Sequence, residues 1–502
     1  MDRRVAQGRS QPPSADPPAA SPFVSIAVGA SLVAIALVIY TVSHPYRLYN
    51  HFEWQALAFL EGKAAIRYPV GPSADSLGNS FFQDVLPVVS TDGVPRGIIP
   101  FPPLPAVLLV PFVAIWGIAT NGQLIFAILG ALDVGLAWWV LGRLPVRTWV
   151  RTAATVFFAF GTVFWYAAQI GTTWYQAHVL AVGLALAAIG VALGRDPASA
   201  QDEDDLPDDD HPGRSSARSL RSLRLLVPDP SQFLAGFLFG LACTSRLTIA
   251  LGAPFFVLVG AGGTWQRRAW SAGLGAAIPI GILIAYNVVT TGHVLHPGYE
   301  YLYRLEAGFY LPLHYNLDWG IEDPRYLPQN FAIMFLNTPV LDPTVVPSAL
   351  GLGGPLCTTP DATRGLFNVD CPLVLPRDTG MSVLLTSPGY LLVLPALRWG
   401  YGHSRLVTGA ALAVVVIAFV NLMHFSQGWV QFGYRFSNDF VPWAVLLVAI
   451  GLERIAGRAD RRPWAGIRSL IQALPVVGAI ALVGASVAIN FWGVVWANVL
   501  GW

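Results

Sequence analysis

The sequence predicts an all-α polytopic membrane protein of about eleven transmembrane helices, and three observations carry that prediction. Of its 502 residues 54% are hydrophobic and 12% charged, with a mean hydropathy of +0.54, whereas a soluble domain carries about 25% charged residues. Apolar runs of about 20 residues recur, the length a helix needs to cross a hydrocarbon core. Arginines gather in alternate connections between those runs, as they do in loops kept on the cytoplasmic side. The net charge of +1 argues against a nucleic-acid partner, which a strongly basic face would hold. The 17 Trp and 16 Tyr suit a chain with many membrane–water boundaries.

Residues 1–22 are polar and Pro-rich and read as a disordered cytoplasmic N-terminus; residues 23–502 form one transmembrane domain. The first span, 23–43, follows Arg3, Arg4 and Arg9, which places the N-terminus inside and the next loop outside. It is long for a signal-peptide core, and "TVSH" after it is a poor cleavage site, so it reads as an uncleaved anchor. The first outer loop, 44–122, runs from "YRLYNHFEWQALAFLEGKAAIRY" through "NSFFQDVLPV" to "RGIIPFPPLPAVLLVPFVAIW". A loop so long and so furnished with polar groups is more often functional than connective. Within it, 104–118 is Pro-rich and only about fifteen residues long, which suits a helix lying in the outer interface. As a full span it would put Arg143, Arg147 and Arg151 outside and invert every later basic loop.

The remaining spans are then 123–142, 150–170, 175–194, 231–244, 247–262, 271–289, 384–398, 405–425, 438–455 and 470–495. Their cytoplasmic connections include 143–149, 195–230, "GGTWQRRAW", "RWGYGHSR" and "ERIAGRADRRPWAGIR", all bearing arginine. Residues 195–230 hold an acidic run followed by a basic one, a solvated disordered loop rather than a metal site. The second large outer segment, 290–383, contains Cys357 and Cys371 around a loop rich in Pro, Asp and Gly. On an oxidising face that pair is expected to form a disulfide, a free pair being the alternative. Cys243, inside a span, reads as a small packing residue.

Ionisable residues at membrane boundaries are expensive and so point towards function. Four groups on the predicted outer face qualify. His51 and Glu53 follow the first span. Asp84 precedes the Pro-rich helix, with Arg96 between them. His178 lies near the outer end of a span, in "TTWYQAHVL". Gln431, Arg435 and Asp439 occupy "SQGWVQFGYRFSNDFVPW", where Arg435 and Asp439 share a helix face if the next helix has begun. A carboxylate facing a lipid-phosphate leaving group gives general-base chemistry on an acceptor hydroxyl. A nearby arginine holds the phosphate while charge develops on it. Asp84 and Glu53 are therefore the candidate bases, and His51, Arg96, His178, Gln431, Arg435 and Asp439 the candidate substrate contacts. For each residue singly the alternative is a structural ion pair or an exposed loop residue. No clear ligand set for a divalent metal is present, and the cofactor requirement stays open. Nucleotide-phosphate loops, zincin helices and nucleophile elbows are absent, as is the dense band of mid-span charges that suits a proton-coupled transporter.

The layout resembles the GT-C class of polytopic glycosyltransferases, and is similar to the bacterial branch around protein mannosyltransferases and lipid-A aminoarabinose transferases. The resemblance covers most of residues 23–455 by arrangement rather than by one sharp motif. "ALAFLEG" looks like the helix after the first acidic site of that class. "FFQDV", "DGVPRGIIPFPPLPAVLLVP", "GLACTSRLTIALGAPF" and "QFGYRFSNDFVPW" are similar to its later signatures. Many relatives carry an Asp-Glu pair just after the first span, where this chain reads "YNHFEW". Asn50 and His51 take those places and Glu53 is offset, which favours Asp84 as the base. The resemblance implies transfer, in inverting form, of a sugar from a polyprenyl-phosphate donor. The acceptor would be a glycan, lipid or protein at the extracytoplasmic face of the cell membrane. A transporter or flippase of lipid-linked sugars, or a non-catalytic membrane assembly protein, are the rival readings.

Overall fold

A computed structural model describes residues 22–43, 50–67, 84–89, 93–194, 227–309, 319–341, 365–398, 404–428, 430–460 and 467–502. The predicted N-terminal tail up to residue 21, residues 195–226 of the predicted cytoplasmic loop, and Cys357 lie outside them. In chain order the principal helices are α1 (Pro22–Val42), α2 (His51–Leu60), α3 (Leu104–Trp116), α4 (Gly122–Leu141), α5 (Thr148–Phe160), α6 (Phe164–Ile170) and α7 (Thr173–Leu193). They continue as α8 (Pro230–Cys243), α9 (Trp265–Thr291), α10 (Gly298–Phe309), α11 (Arg405–Met423), α12 (Val441–Asp460) and α13 (Ile467–Leu500). The protein is multi-pass: among the described residues, six helices (α1, α4, α7, α9, α11 and α13) are long and apolar enough to cross a membrane. The pair α5–α6, bent by 50°, makes seven if it counts as one span.

The apolar runs predicted as further spans take shorter or broken forms. Residues 231–244 become α8, 14 residues long. The run 247–262 opens with a 3₁₀ turn, Leu247–Gly252, before a helix of six residues, Ala253–Leu258. The run 384–398 is cut into Val383–Thr386, a 3₁₀ turn Pro388–Leu392, and Val393–Leu397. Pro254 and Pro388 supply the reason in part, since a proline starts a helical segment readily but cannot sit within one without losing a hydrogen bond. Helix α12 is long enough, but Glu453, Arg454 and Arg458 charge its C-terminal half.

Close helix contacts come from small residues. Gly236 and Gly240 of α8 lie against Ala272 and Ala276 of α9. A Cβ added at Gly236 would stand 2.0 Å from the Ala272 carbonyl oxygen. This is the small-xxx-small packing by which helices approach in the absence of a hydrophobic drive between them.

The two ends of the bundle differ. At one, the backbone N–H of Arg147 donates to Glu453 Oε2 at 2.9 Å, and Arg147 Nε lies 3.2 Å from Glu453 Oε1. This brings together two of the connections predicted to be cytoplasmic. At the other end the loop predicted to be outer, residues 44–122, holds a sheet that the all-helical expectation lacked. Strands β1 (Ile66–Arg67), β2 (Leu86–Val88) and β3 (Arg96–Ile98) pair antiparallel in the order β1-β3-β2, with Gly97 opposite both Ile66 and Pro87. Pro87 is tolerated because β2 is an edge strand. Helix α3 follows, 13 residues long and too short to cross, and packs on α2. A second small sheet, β4 (Val340–Leu341) with β5 (Val374–Leu375), ties together two parts of the second large segment. There Cys371 is disulfide-bonded, while Cys243 is free and buried in α8.

Candidate active site

The site is built around the first turns of α7. Helix α6 ends at Gly171, whose φ of +49° is left-handed and suits glycine. The chain turns through extended Thr172 and restarts as α7 at Thr173. Residues three or four apart share a helix face, and the first turns of α7 therefore receive two separate groups of partners.

One face, Thr173 and Gln176, meets α2. Thr173 Oγ1 accepts the backbone N–H of His51 at 3.1 Å and lies 2.9 Å from His51 Nδ1. That hydroxyl has its own proton left to donate to Nδ1. Gln176 Nε2 donates to Glu53 Oε1 at 3.4 Å. Glu53 also sits at the N-terminus of α4, so tightly that a Cβ added at Gly122 would be 2.0 Å from Glu53 Oε1. Burial pushes the Glu53 carboxyl up to about 7, although Gln176 and the backbone N–H of Gly122 favour its ionised form. Burial also drives His51 down to about 3, leaving a neutral imidazole.

The other face, Trp174 and His178, meets the later elements. Trp174 Nε1 donates to Asp84 Oδ2 at 2.8 Å. Asp84 is 5% exposed. Burial raises its carboxyl to about 6, against the opposing pull of the Trp174 hydrogen bond and the Arg435 charge. His178 Nδ1 lies 3.0 Å from Asp439 Oδ1. Asp439 is heavily engaged: Arg246 Nε reaches Oδ1 at 3.2 Å and Nη2 reaches Oδ2 at 2.9 Å. Thr248 Oγ1 donates to Oδ2 at 2.7 Å and Asn421 Nδ2 at 3.4 Å.

The condition under which Arg435 and Asp439 would share a helix face is not met. The segment Arg435–Asp439 is a 3₁₀ turn, and α12 starts only at Val441. At three residues per turn, positions four apart diverge. Asp439 turns to Arg246, and Arg435 turns towards Asp84. Phe436 carries both cations on its ring, Arg246 at 5.4 Å and Arg435 at 5.2 Å from the centroid. Asp439 neutralises Arg246. The buried Nε of Arg435 has no hydrogen-bond partner among the described residues, so that N–H is open to an anion. Gly428 (φ +91°) makes room for it, since a Cβ there would be 2.7 Å from Arg435 Nε.

The other predicted contacts fall outside this grouping. Arg96 belongs to β3, is buried, and donates through Nη1 to the Ala65 carbonyl at 3.4 Å. Gln431 donates to the Gln427 carbonyl at 2.7 Å and the Thr379 carbonyl at 3.3 Å, which shapes the turn before Arg435. Among the described residues no group of three or more His, Cys, Asp or Glu could hold a metal ion.

Sequence reasoning passed over Trp174, Gln176 and Tyr299. The first two lie in the same "TTWYQAHVL" that flagged His178, and helical spacing alone would have paired 173 with 176 and 174 with 178. Half-buried Tyr299 of α10 feels both Arg246 and Asp84, and burial pushes its hydroxyl up to about 12. Nothing in "GYEYLYRLE" separates it from its neighbouring tyrosines. An apolar cleft of about 510 Å³ opens between α2, α3, α8 and α9, with Phe59, Lys63, Val107, Leu241 and Tyr286 in its walls.

No family model matches the chain, and no curated protein matches it. Among solved structures the chain is similar to the crystal structure of ArnT from Cupriavidus metallidurans bound to undecaprenyl phosphate. The identity is 12% and the TM-score 0.45, over 95% of this chain and 77% of that one.

Proposed function

We propose that the chain is an inverting membrane glycosyltransferase that moves a sugar from a polyprenyl-phosphate donor to a hydroxyl-bearing acceptor at the outer face of the membrane. The observation that supports this reading is the placement of Asp84 within electrostatic reach of Arg435. A buried carboxylate, oriented by a 2.8 Å hydrogen bond from Trp174, lies within electrostatic reach of a guanidinium whose Nε has no partner among the described residues. Asp84 takes the proton of the acceptor hydroxyl as its oxygen bonds to the anomeric carbon. The bond from that carbon to the phosphate oxygen breaks, its electron pair leaves with the polyprenyl phosphate, and Arg435 holds the charge that develops there. Attack from the face opposite the leaving group inverts the anomeric centre.

Burial brings the Asp84 carboxyl to about 6, so it is mostly ionised near neutral pH yet basic enough to accept a proton. Glu53 shares the burial but, on the α2 face of α7, has no such cation beside it. The apolar cleft along α9 supports a donor with a hydrocarbon tail. The test is incubation of the purified protein with labelled polyprenyl-phosphate sugars and candidate acceptors. Consumption of a donor with release of polyprenyl phosphate, lost in Asp84→Asn, is expected. Movement of an intact lipid-linked sugar across vesicles without cleavage would replace this reading with a flippase.

A further inference from the structure

We propose that Trp174 is the positioning residue of the transfer reaction, its indole N–H fixing the Asp84 carboxylate in the orientation from which it takes the acceptor proton. The inference rests on Asp84 being the base. Asp84 precedes an edge strand of three residues, β2, so its backbone is anchored in a small sheet rather than in the helical bundle. Trp174 stands instead in the first turn of a 21-residue helix. Its Nε1 reaches Asp84 Oδ2 at 2.8 Å, a short contact for a neutral donor on a carboxylate.

The indole is itself braced. Its ring packs on the His51 imidazole at 5.9 Å between centroids, and His51 is anchored to Thr173, the residue next to Trp174, through both its backbone N–H and its Nδ1. Thr173, His51 and Trp174 thus form a closed buttress behind Asp84. His51 acts in it as a wall, which accounts for its burial. The groups that face Asp84 besides Trp174 are Arg435 from the Arg435–Asp439 turn and Tyr299 from α10, with Arg246 beyond Tyr299. None of them can reproduce a fixed neutral N–H donor on Oδ2.

Removing that donor has two consequences. The carboxylate gains rotational freedom, and its ionised form loses a hydrogen bond, so it is protonated at higher pH. Trp174→Phe keeps an aromatic ring on Cβ beside His51 and removes the N–H together with the second fused ring. The turnover number is expected to fall about tenfold with the Michaelis constant for the donor within twofold of the parent. The acidic limb of the turnover-against-pH profile is expected to move up by about one unit. Adding Trp174→Phe to Asp84→Asn should cost nothing further, because the two act through one group.

A uniform loss across the pH range with an unmoved limb, or losses that multiply in the double variant, overturns the proposal and makes Trp174 a packing residue. The underlying reading fails separately: Asp84→Asn turning over near the parent rate removes Asp84 as the base. If Trp174→Phe does not fold, Trp174→His, which retains a ring N–H, is compared with Trp174→Leu at matched folded fraction. Equal limbs in those two overturn the proposal.

Discussion

Glu53→Gln should make the protein more stable at alkaline pH, and the amount follows from the burial of the carboxyl. Glu53 is 1% exposed, and its pKa rises from 4.5 to about 7 on folding. A carboxyl with a raised folded pKa keeps its proton in the native state while the unfolded chain ionises. Stability is therefore unaffected below about pH 4.5, is lost progressively between about 4.5 and 7, and stays reduced above. At 1.36 kcal/mol per unit, the full loss is about 3 kcal/mol. A glutamine cannot ionise, so that slope disappears. Its Oε1 can accept from Gln176 and Gly122 as Glu53 does. Its new amide protons meet Gln176 Oε1, which has no partner among the described residues. Thermal unfolding in detergent at pH 5 and pH 8.5 is the assay. With an unfolding entropy of about 2.1 cal/mol/K per residue, 3 kcal/mol corresponds to about 3 °C in a chain of this length. The variant should gain that much on the parent between the two pH values, while Asp84 and the other titrating groups cancel in the comparison. A difference between variant and parent that is the same at both pH values refutes the claim that Glu53 is held protonated by burial.

Asp84→Asn should lower turnover by roughly 10²–10⁴-fold and leave donor binding intact, read from initial rates and from binding of a labelled donor. Arg435→Ala should instead weaken donor binding, and Arg435→Lys should restore it only in part, because a point charge lacks the guanidinium fork. Asp439→Asn should cost about 3 kcal/mol, since Arg246 keeps its charge and loses its buried partner; a thermal midpoint unchanged from the parent speaks against the pairing. Gly236→Ala forces α8 from α9 and should destabilise by about 1–3 kcal/mol, measured as a lower thermal midpoint with donor affinity preserved at low temperature. Single cysteines at Ser76 and Ser199, in a chain without its own cysteines, should label from outside and inside respectively; equal labelling by an impermeant reagent in intact cells refutes the proposed sidedness.

What was legible in the sequence was whatever depends on local apolar length. The runs that became α1, α4, α7, α9, α11 and α13 exceed the width of a hydrocarbon core without interruption, and their limits agree with the helices to within a few residues, apart from the extended ends of α9 and α13. Broken runs were legible only as apolar. In 247–262 and 384–398 the composition is that of a span, while Gly252, Pro254, Pro388 and Gly389 punctuate the backbone. The sheet in the first outer loop was invisible because strands of two and three residues carry no period to detect. Arg435 and Asp439 were expected on one face only if the next helix had begun, and the chain makes a 3₁₀ turn there instead.

The grouping of the site was not legible for a different reason. His51, Glu53, Asp84, Arg435 and Asp439 come from three segments far apart in the chain, and each is an ordinary polar residue at a membrane boundary. What sorts them is the register of one helix they do not belong to. Thr173 and Gln176 draw His51 and Glu53 to one side of α7, and Trp174 and His178 draw Asp84 and Asp439 to the other. Burial raises both Asp84 and Glu53 for the same cause, so pKa alone does not choose between them. The choice rests on the company each keeps: Glu53 faces an amide and a helix N-terminus, groups that hold it still. Asp84 faces an indole that donates to it and lies within electrostatic reach of an arginine. The proposed base needs a phosphate contact beside it, and among the described residues the Trp174 side brings Arg435 within electrostatic reach of Asp84.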